Sequence, residues 1–260
     1  MKIGVCGGID RIRGIAENGF DYIEGNFRWI TCCSDDEYEE FKKELAKYSL
    51  KCEAANCFFP GELKITGEDI NCEEIVQYLE KGFTRAAELG IKVVVLGSGG
   101  ARNIPQGYSY DKACRDIINI VKNYIAPLAE KYGIDFVFEP LCKAESNIIN
   151  TIKEGAMLAA AIDCSNVGAL GDIYHMYVEG DTYDDMRELK GIFRHAHISN
   201  PIPSDPDKKR CYMKNADEYD YKGFFDALKY VGCERVSIEA DTSDFYADIT
   251  AAAEIMKLYK

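Results

Sequence analysis

Short apolar runs alternate with amphipathic stretches along the whole of this 260-residue chain. The apolar runs are rich in Val, Ile and Phe, and several are continuously apolar, which is typical of strands covered on both faces. The stretches between them, such as DDEYEEFKKELAKYS, carry apolar residues at helical spacing. The pattern predicts strands at Lys2–Cys6, Tyr22–Asn26, Cys52–Cys57, Lys92–Leu96, Asp135–Glu139, Asn166–Leu170, Phe193–Ile198 and Arg235–Glu239.

Several predicted helices end at a glycine just before the next strand, which is the expected C-terminal cap of a short connection. Eight strand–helix units of about 30 residues each predict an α/β fold, a (β/α)8 or TIM barrel, with residues 1–260 as one domain. An open doubly wound sheet shares the alternation but rarely contains eight regular units in this length. The capping glycines are Gly19, Gly90, Gly133, Gly191 and Gly232.

The formal net charge of -13 indicates an acidic surface, which repels phosphate backbones and anionic lipid and argues against nucleic acid and membranes as partners. The eleven cysteines form no repeating framework and no CxxC pair, as is typical of reduced thiols that serve as small buried residues. The N-terminal MKIGVCGG leads directly into a strand, without a signal-peptide pattern or a membrane-spanning apolar stretch. We expect a cytoplasmic protein.

Four polar residues stand at or just after the ends of strands five to eight: Glu139, Asp172, His197 and Glu239. An ionised carboxylate at that depth costs several kcal/mol unless it is paired or holds a cation. In such a barrel the carboxyl ends of neighbouring strands meet on one face, so the four side chains are expected to converge on one ion. Three carboxylates and one imidazole suit Mn²⁺ or Mg²⁺, with Co²⁺ or Zn²⁺ as alternatives.

Each of these residues also has a structural interpretation. A carboxylate at a strand end often caps the next helix, but for Glu239 the residues 241–244 already supply capping side chains. His197 alone is equally consistent with a hydrogen-bonded core histidine. His195 shares the face of His197 and is predicted to lie behind the ligands or to face the substrate. Glu24 ends the second strand and is predicted either to face the cavity or to make a structural hydrogen bond.

The segments EPLCKAESNIINT, DIYHM, HAHIS and VSIE resemble the motifs of the xylose-isomerase-like barrels. That family includes sugar isomerases and epimerases, inosose dehydratases and an AP-endonuclease branch, and the first segment is similar to the fifth-strand motif of ketose 3-epimerases. The resemblance implies a divalent metal ion held by Glu139, Asp172, His197 and Glu239, with Glu145 and His175 contacting sugar hydroxyls.

The chain departs from those epimerases after its metal-binding histidine. The epimerases carry an arginine there, whereas Pro201 and Pro203 occupy this stretch, and Arg210 is predicted to substitute from a longer loop. Two further residues are predicted to face the substrate. Asn56 follows the third strand, and Arg102 follows the glycine-rich LGSGG, whose free amides suit a phosphate.

The resemblance and the residue types together predict an enzyme, a metal-dependent isomerase or epimerase of a sugar or sugar phosphate. Glu139 and Glu239 are predicted to transfer protons at the carbon next to a carbonyl. A dehydratase acting on a cyclic polyol ketone stays open, as does a noncatalytic sugar-binding barrel. The endonuclease branch needs more histidines than the three present. Barrels of this family often pair, which leaves a homo-oligomer open.

Overall fold

The computed structural model describes residues 1–203 and 209–259. Eight parallel strands pair in sequence order and the first closes on the eighth, so the sheet is a closed barrel. The predicted (β/α)8 fold is confirmed. The strands are β1 Lys2–Cys6, β2 Tyr22–Asn26, β3 Lys51–Asn56, β4 Val93–Leu96, β5 Asp135–Phe138, β6 Val167–Asp172, β7 Phe193–Ile198 and β8 Arg235–Ile238.

Helices connect the strands and cover the outside of the barrel. The described helices are α1 Ile12–Glu17, α2 Phe27–Cys32, α3 Asp35–Lys47, α4 Cys72–Leu89, α5 Gly99–Arg102, α6 Tyr110–Ile120, α7 Ala126–Lys131, α8 Ile152–Ile162, α9 Ile173–Glu179, α10 Tyr183–Glu188, α11 Tyr221–Val231 and α12 Phe245–Met256. A π-helical turn joins α6 to α7.

The predicted strands differ from the observed ones by one or two residues at some ends. Strand β6 continues to Asp172, two residues beyond the predicted end, so this carboxylate lies on the strand itself. Strands β5 and β8 end one residue earlier than predicted, which makes Glu139 and Glu239 the first residues of the following loops. Side chains that follow a strand directly lie at the mouth of the barrel, where they reach both the interior and solvent.

Side chains from alternate strands fill the barrel interior, as expected for a packed core. The Tyr22 ring lies against β1, where a Cβ atom at position 4 would overlap it, so Gly4 makes room for the ring. The hydroxyl groups of Tyr22 and Ser237 form a hydrogen bond of 2.8 Å inside the barrel. This closed interior supports the polar residues above it. The apolar interior cluster consists of Tyr22, Ala54, Val93, Val95, Val137 and Leu170.

The prediction on the helix-ending glycines is confirmed, because all five have positive φ, between 64° and 91°. The cysteines of the described residues form no disulfide. The expected role as small buried residues holds for Cys33, Cys52, Cys142 and Cys233, whereas Cys32, Cys57 and Cys72 are exposed. In the described part of the chain, no helix combines the length and the apolar character needed to span a bilayer.

Candidate active site

Four residues from strands β5 to β8 converge at the mouth of the barrel. One ligand atom from each of Glu139, Asp172, His197 and Glu239 lies within 4.8 Å of the other three. His197 Nδ1 is at the centre of the cluster, 2.8 Å from Oε1 of Glu139, 3.2 Å from Oε2 of Glu239 and 3.7 Å from Oδ2 of Asp172. Residues separated by up to 100 positions in the chain therefore form one compact donor set.

Asp172 divides its two carboxylate oxygens between the backbone and the cluster. Oδ1 caps helix α9 by accepting hydrogen bonds from the main-chain N–H groups of Tyr174, at 2.7 Å, and His175, at 3.2 Å. Oδ2 is the oxygen that faces His197. Asp172 thus caps helix α9 with one oxygen, and this cap directs the second oxygen towards the cluster.

Glu139 reaches the cluster across the end of strand β4. An added Cβ atom at position 97 would overlap Oε2 of Glu139, so only glycine at this position leaves room for the carboxylate in its present place. Gly97 was not among the predicted site residues. Its contribution is steric space, which no sequence motif of the chain indicated.

The sequence prediction left open whether Glu24 faces the cavity or makes a structural hydrogen bond. Its carboxylate is fully buried and accepts from His195 Nε2 at 2.6 Å and from His197 Nε2 at 3.0 Å. Glu24 therefore lies behind the cluster, as a hydrogen-bond partner of the His197 ring, and His195 lies there with it. A carboxylate in this place orients a ligand histidine and fixes its tautomer. The signal in the sequence was a carboxylate inside an otherwise apolar run, DYIEGNF.

The electrostatics of the cluster lower the pKa values of two of its carboxylates, Asp172 and Glu239. Burial raises the pKa of Asp172, but Arg210 above all, together with His197, outweighs it and holds the pKa below the usual range. The pKa of Glu239 is lowered against burial by the same two residues. For His197, burial lowers the pKa, yet Glu24 and the two glutamates of the cluster raise it well above the ordinary histidine value. The surrounding carboxylates therefore favour the protonated form of this imidazole.

The donor set fits a divalent cation. Two of the three carboxylates are buried and the third, Glu239, is partly exposed, and one divalent ion held by all four residues would balance most of their charge. Oxygen donors with a single imidazole suit Mn²⁺ and Mg²⁺, while Co²⁺ and Zn²⁺ accept the same ligands. The Nδ1 atom of His197 faces the three carboxylates, so it is the nitrogen that would bind such an ion.

Arg210 lies at the cluster, as the sequence predicted from the longer loop. Its Nη1 donates to Oδ2 of Asp172 at 2.8 Å, and its Nη2 lies 2.9 Å from Oε2 of Glu239. The guanidinium group also lies over the ring of Tyr174, 5.3 Å from the ring centroid, which is within the limit of about 6 Å for cation–π contacts. Because Arg210 bridges the carboxylates of Asp172 and Glu239, it can donate to a substrate oxygen placed between them.

Three more predicted residues border the cluster. Asn56 ends strand β3 and donates from Nδ2 to Oε1 of Glu239 at 3.0 Å, which orients that carboxylate. Glu145 is half-buried and pairs with Lys209 at 2.9 Å. His175 accepts the Cys142 main-chain N–H at Nδ1, at 3.0 Å, while its buried Nε2 has no hydrogen-bond partner in the described residues.

Arg102 lies in the protein interior rather than at the cluster. Its guanidinium group is fully buried and donates to the main-chain carbonyls of Leu96 at 2.9 Å, Glu139 at 2.8 Å and Ile149 at 3.3 Å. Burial lowers its pKa to about 10. These contacts join the ends of strands β4 and β5 to the following loop, so the structure gives this arginine a structural role and no contact with the cavity that the anion prediction required.

Two cavities open on either side of Glu239. One, of about 370 Å³, is lined by the loops after β3, β4 and β5 and includes Glu139, Glu145 and Arg210. The other, of about 570 Å³, lies over the ends of β1, β2 and β8. Asn56 and Glu239 line both cavities. The cluster therefore stands between two spaces that are each large enough for a small organic molecule.

Comparison with known proteins gives one family match that spans most of the chain. Residues 12–260 match the model of the family described as xylose isomerase-like TIM barrel. Among individual proteins, a D-psicose 3-epimerase of Agrobacterium fabrum (strain C58) is 28% identical over 209 residues, which are 76% of this chain and 70% of that protein. The likeness thus extends over the larger part of both chains.

Solved structures share the fold at lower identity. A D-allulose 3-epimerase from Methylomonas sp. in complex with D-allulose has a TM-score of 0.83 and 19% identity, covering 100% of this chain and 97% of that one. A structure of IOLI protein with a binding zinc atom has a TM-score of 0.72 and 19% identity, covering 100% of this chain and 96% of that one. At this identity, the two likenesses show a common barrel.

Proposed function

This chain belongs to the family of xylose isomerase-like TIM barrels, and from that premise we propose that it is a metal-dependent epimerase or isomerase of a ketose-type sugar. The observation that carries the proposal is the convergence of Glu139, Asp172, His197 and Glu239 within 4.8 Å beside a cavity. Similarity to a D-psicose 3-epimerase over most of the chain supports the choice of reaction.

The proposed chemistry is proton transfer at the carbon next to a carbonyl. A divalent cation bound by the four residues supplies Lewis-acid stabilisation of the negative charge that develops on the substrate oxygens. Glu139 and Glu239 come from strands on opposite sides of His197, and both border the cavity. One carboxylate removes the proton from carbon and the other returns a proton to the opposite face, which inverts that centre.

The other polar groups hold the sugar. His175 uses Nδ1 as an acceptor for the Cys142 N–H, so in the neutral ring Nε2 carries the hydrogen and donates to a substrate hydroxyl. Glu145 accepts from a second hydroxyl, and Arg210 donates to an oxygen next to the carbonyl. Fixing the sugar by three groups aligns the reacting C–H bond with the two bases. Asn56 acts through Glu239, which it orients by a hydrogen bond.

The donor groups also indicate which ion is favoured and whether the substrate carries a phosphate. Three carboxylates and one imidazole support Mn²⁺ or Mg²⁺ before Co²⁺ or Zn²⁺. Arg102 donates to main-chain carbonyls, which removes its guanidinium group as a candidate for binding a phosphate. An unphosphorylated sugar is therefore the better-supported substrate.

Deuterium incorporation tests the proposal directly. The protein is incubated with Mn²⁺ and a panel of free and phosphorylated ketoses in D₂O, and the product is examined by NMR. We expect deuterium at the carbon next to the carbonyl, and loss of more than about a hundredfold in exchange rate in Glu239→Gln. The matched control is Glu234→Gln, which changes an exposed carboxylate at the far end of the same strand.

The outcomes separate the candidate functions. Wild-type exchange in Glu239→Gln contradicts the two-base scheme. Loss of water from a ketone of the panel, with release of an unsaturated product, identifies a dehydratase. Metal-independent binding of a ketose, with no exchange and no loss of water, identifies a sugar-binding barrel.

A further inference from the structure

We propose that the cavity over strands β1, β2 and β8 is a second sugar subsite, and that the substrate is a ketose unit linked to another sugar ring. This inference rests on the proposed function, because it needs the ketose to occupy the neighbouring cavity at Glu139 and Glu145. It adds the class of substrate, a neutral ketose glycoside, to the type of reaction.

The volumes of the two cavities, compared with the volume of one sugar, are the first argument for a second subsite. A ketohexose has on the order of twelve non-hydrogen atoms, and at about 30 Å³ each, the share of a water molecule in the liquid, it fills at most about 360 Å³. The cavity beside Glu145 measures about 370 Å³ and is therefore sufficient for one ring. The second cavity, of about 570 Å³, remains free when the first is filled.

The position of the second cavity connects it to the reaction. Asn56 and Glu239 line both cavities, so a substituent on a ketose held in the first cavity enters the second by passing Glu239. A glycosidic link is the shortest connection between two sugar rings, and it matches two cavities that share a wall.

The lining of the second cavity suits a sugar ring. Trp29 is half-buried, and its indole stands edge-on to the buried ring of Phe41, with centroids 5.3 Å apart, which fixes the orientation of the indole. An aromatic ring held in this way offers an apolar face with a polar N–H at its edge. Asn26 accepts from the Trp29 main-chain N–H at 2.9 Å through Oδ1, and its Nδ2 has no hydrogen bond among the described residues.

The charges of this cavity favour a neutral occupant over a phosphate. The acidic side chains that line it are Asp10, Glu24 and Glu239, whereas Arg11 is the cation among the described lining residues. Arg11 donates to the main-chain carbonyl of Cys6 at 3.2 Å and lies 5.0 Å from the centroid of the Phe245 ring. Three carboxylates and one guanidinium group give this lining a net negative charge, which disfavours an anionic substituent.

Trp29 is the only tryptophan of the chain, so its fluorescence reports on this cavity alone. The Mn²⁺-loaded protein is titrated with D-fructose and D-allulose and with the ketose disaccharides isomaltulose and leucrose, while deuterium exchange is measured on the same preparation. We expect the disaccharides to shift or quench the emission of Trp29. We expect the free ketohexoses to leave it unchanged at concentrations that saturate exchange.

Kinetics of variants provide the second readout. We expect kcat/KM for at least one disaccharide to exceed that for D-fructose, and Trp29→Ala to lower the ratio of the two values by roughly fivefold. Trp29→Phe retains a ring and should restore much of that ratio. Tyr230→Ala is the matched control, because it removes an exposed aromatic ring at the end of α11 that leads into the opposite end of the barrel.

The results distinguish this inference from the proposed function. Exchange with free ketoses, combined with silent Trp29 fluorescence and no preference for either disaccharide, overturns the second subsite and leaves the epimerase proposal standing. An equal change of emission with D-fructose also overturns it, because the single ring then occupies this cavity. Absence of exchange with every ketose removes both proposals.

Discussion

His197 and Glu24 are joined by a hydrogen bond of 3.0 Å between Nε2 and Oε1, behind the four-residue cluster. Because Nε2 donates its hydrogen to this buried carboxylate, the opposite nitrogen, Nδ1, is directed at the three cluster carboxylates. Glu24 also accepts from His195 at 2.6 Å, which fixes its own position. The geometry at the mouth of the barrel thus depends on Glu24 of strand β2, which contacts the four-residue cluster through the imidazole of His197.

Replacing Glu24 by Gln should weaken metal binding without removing a ligand. The amide cannot accept from both histidines as the carboxylate does, so the His197 ring loses part of its orientation, and we expect metal affinity to fall by about 10- to 100-fold. Calorimetric titration with Mn²⁺ measures the change. Glu53→Gln is the control, since Glu53 is a nearly buried carboxylate paired with Lys2 and Arg235 at the other end of the barrel. Equal losses in both variants would point to general destabilisation.

Gly97→Ala should reduce turnover more than it reduces stability. The added Cβ atom would overlap Oε2 of Glu139, so the carboxylate must move, and a displacement of about 1 Å costs on the order of a hundredfold in rate. Steady-state kinetics and thermal unfolding give the two effects. Gly155→Ala is the control, because a Cβ atom there meets its neighbours at 3.6 Å or more within helix α8. Unchanged kcat in Gly97→Ala would mean that the carboxylate adjusts freely.

Metal binding should release about one proton at neutral pH. Burial lowers the pKa of His197, but Glu24, Glu239 and Glu139 raise it well above the ordinary value, so the metal-free ring carries a proton that a bound ion must displace. The protonated His197 ring therefore stabilises the folded protein fully below pH ~6.5. This contribution is lost as the pH rises through the raised pKa of His197.

Metal affinity should accordingly increase about tenfold per pH unit below that raised pKa. Calorimetry with Mn²⁺ in buffers of different ionisation enthalpy counts the released protons. His175→Asn is a suitable comparison, since His175 lies outside the four-residue cluster and its loss should leave the proton count unchanged. An affinity independent of pH between 6 and 8 would show that His197 is already neutral in the metal-free protein.

Arg102→Met should lower the free energy of unfolding by about 1–3 kcal/mol, the cost of an unsatisfied buried polar group. The substitution removes the arginine donor from the Glu139 carbonyl, whereas the carbonyls of Leu96 and Ile149 keep a main-chain N–H donor. Urea unfolding measures the loss. The ratio of kcat/KM between a sugar phosphate and the free sugar should stay at its wild-type value, because the guanidinium group is fully buried. A selective loss of activity on the phosphate would instead support the anion role predicted for this residue.

Much of the fold followed from local patterns. Strand and helix periodicity and the capping glycines depend on residues that are neighbours in the chain, and the strand bounds were therefore correct to within two residues. The convergence of Asp172 and Glu239 was also predictable, because the carboxyl ends of parallel strands share one face of a barrel. The contributions of Gly97 and Glu24 were not, since each acts on a side chain of another strand.

The sequence by itself determined a closed barrel and the four side chains at its mouth, because both depend on the repetition of strand and helix along the chain. Only the tertiary structure decided that Nδ1 of His197 faces the carboxylates and that Arg102 lies inside. These choices depend on atomic distances between residues that meet when the ring closes. Such distances follow from packing, which no segment of the chain encodes alone.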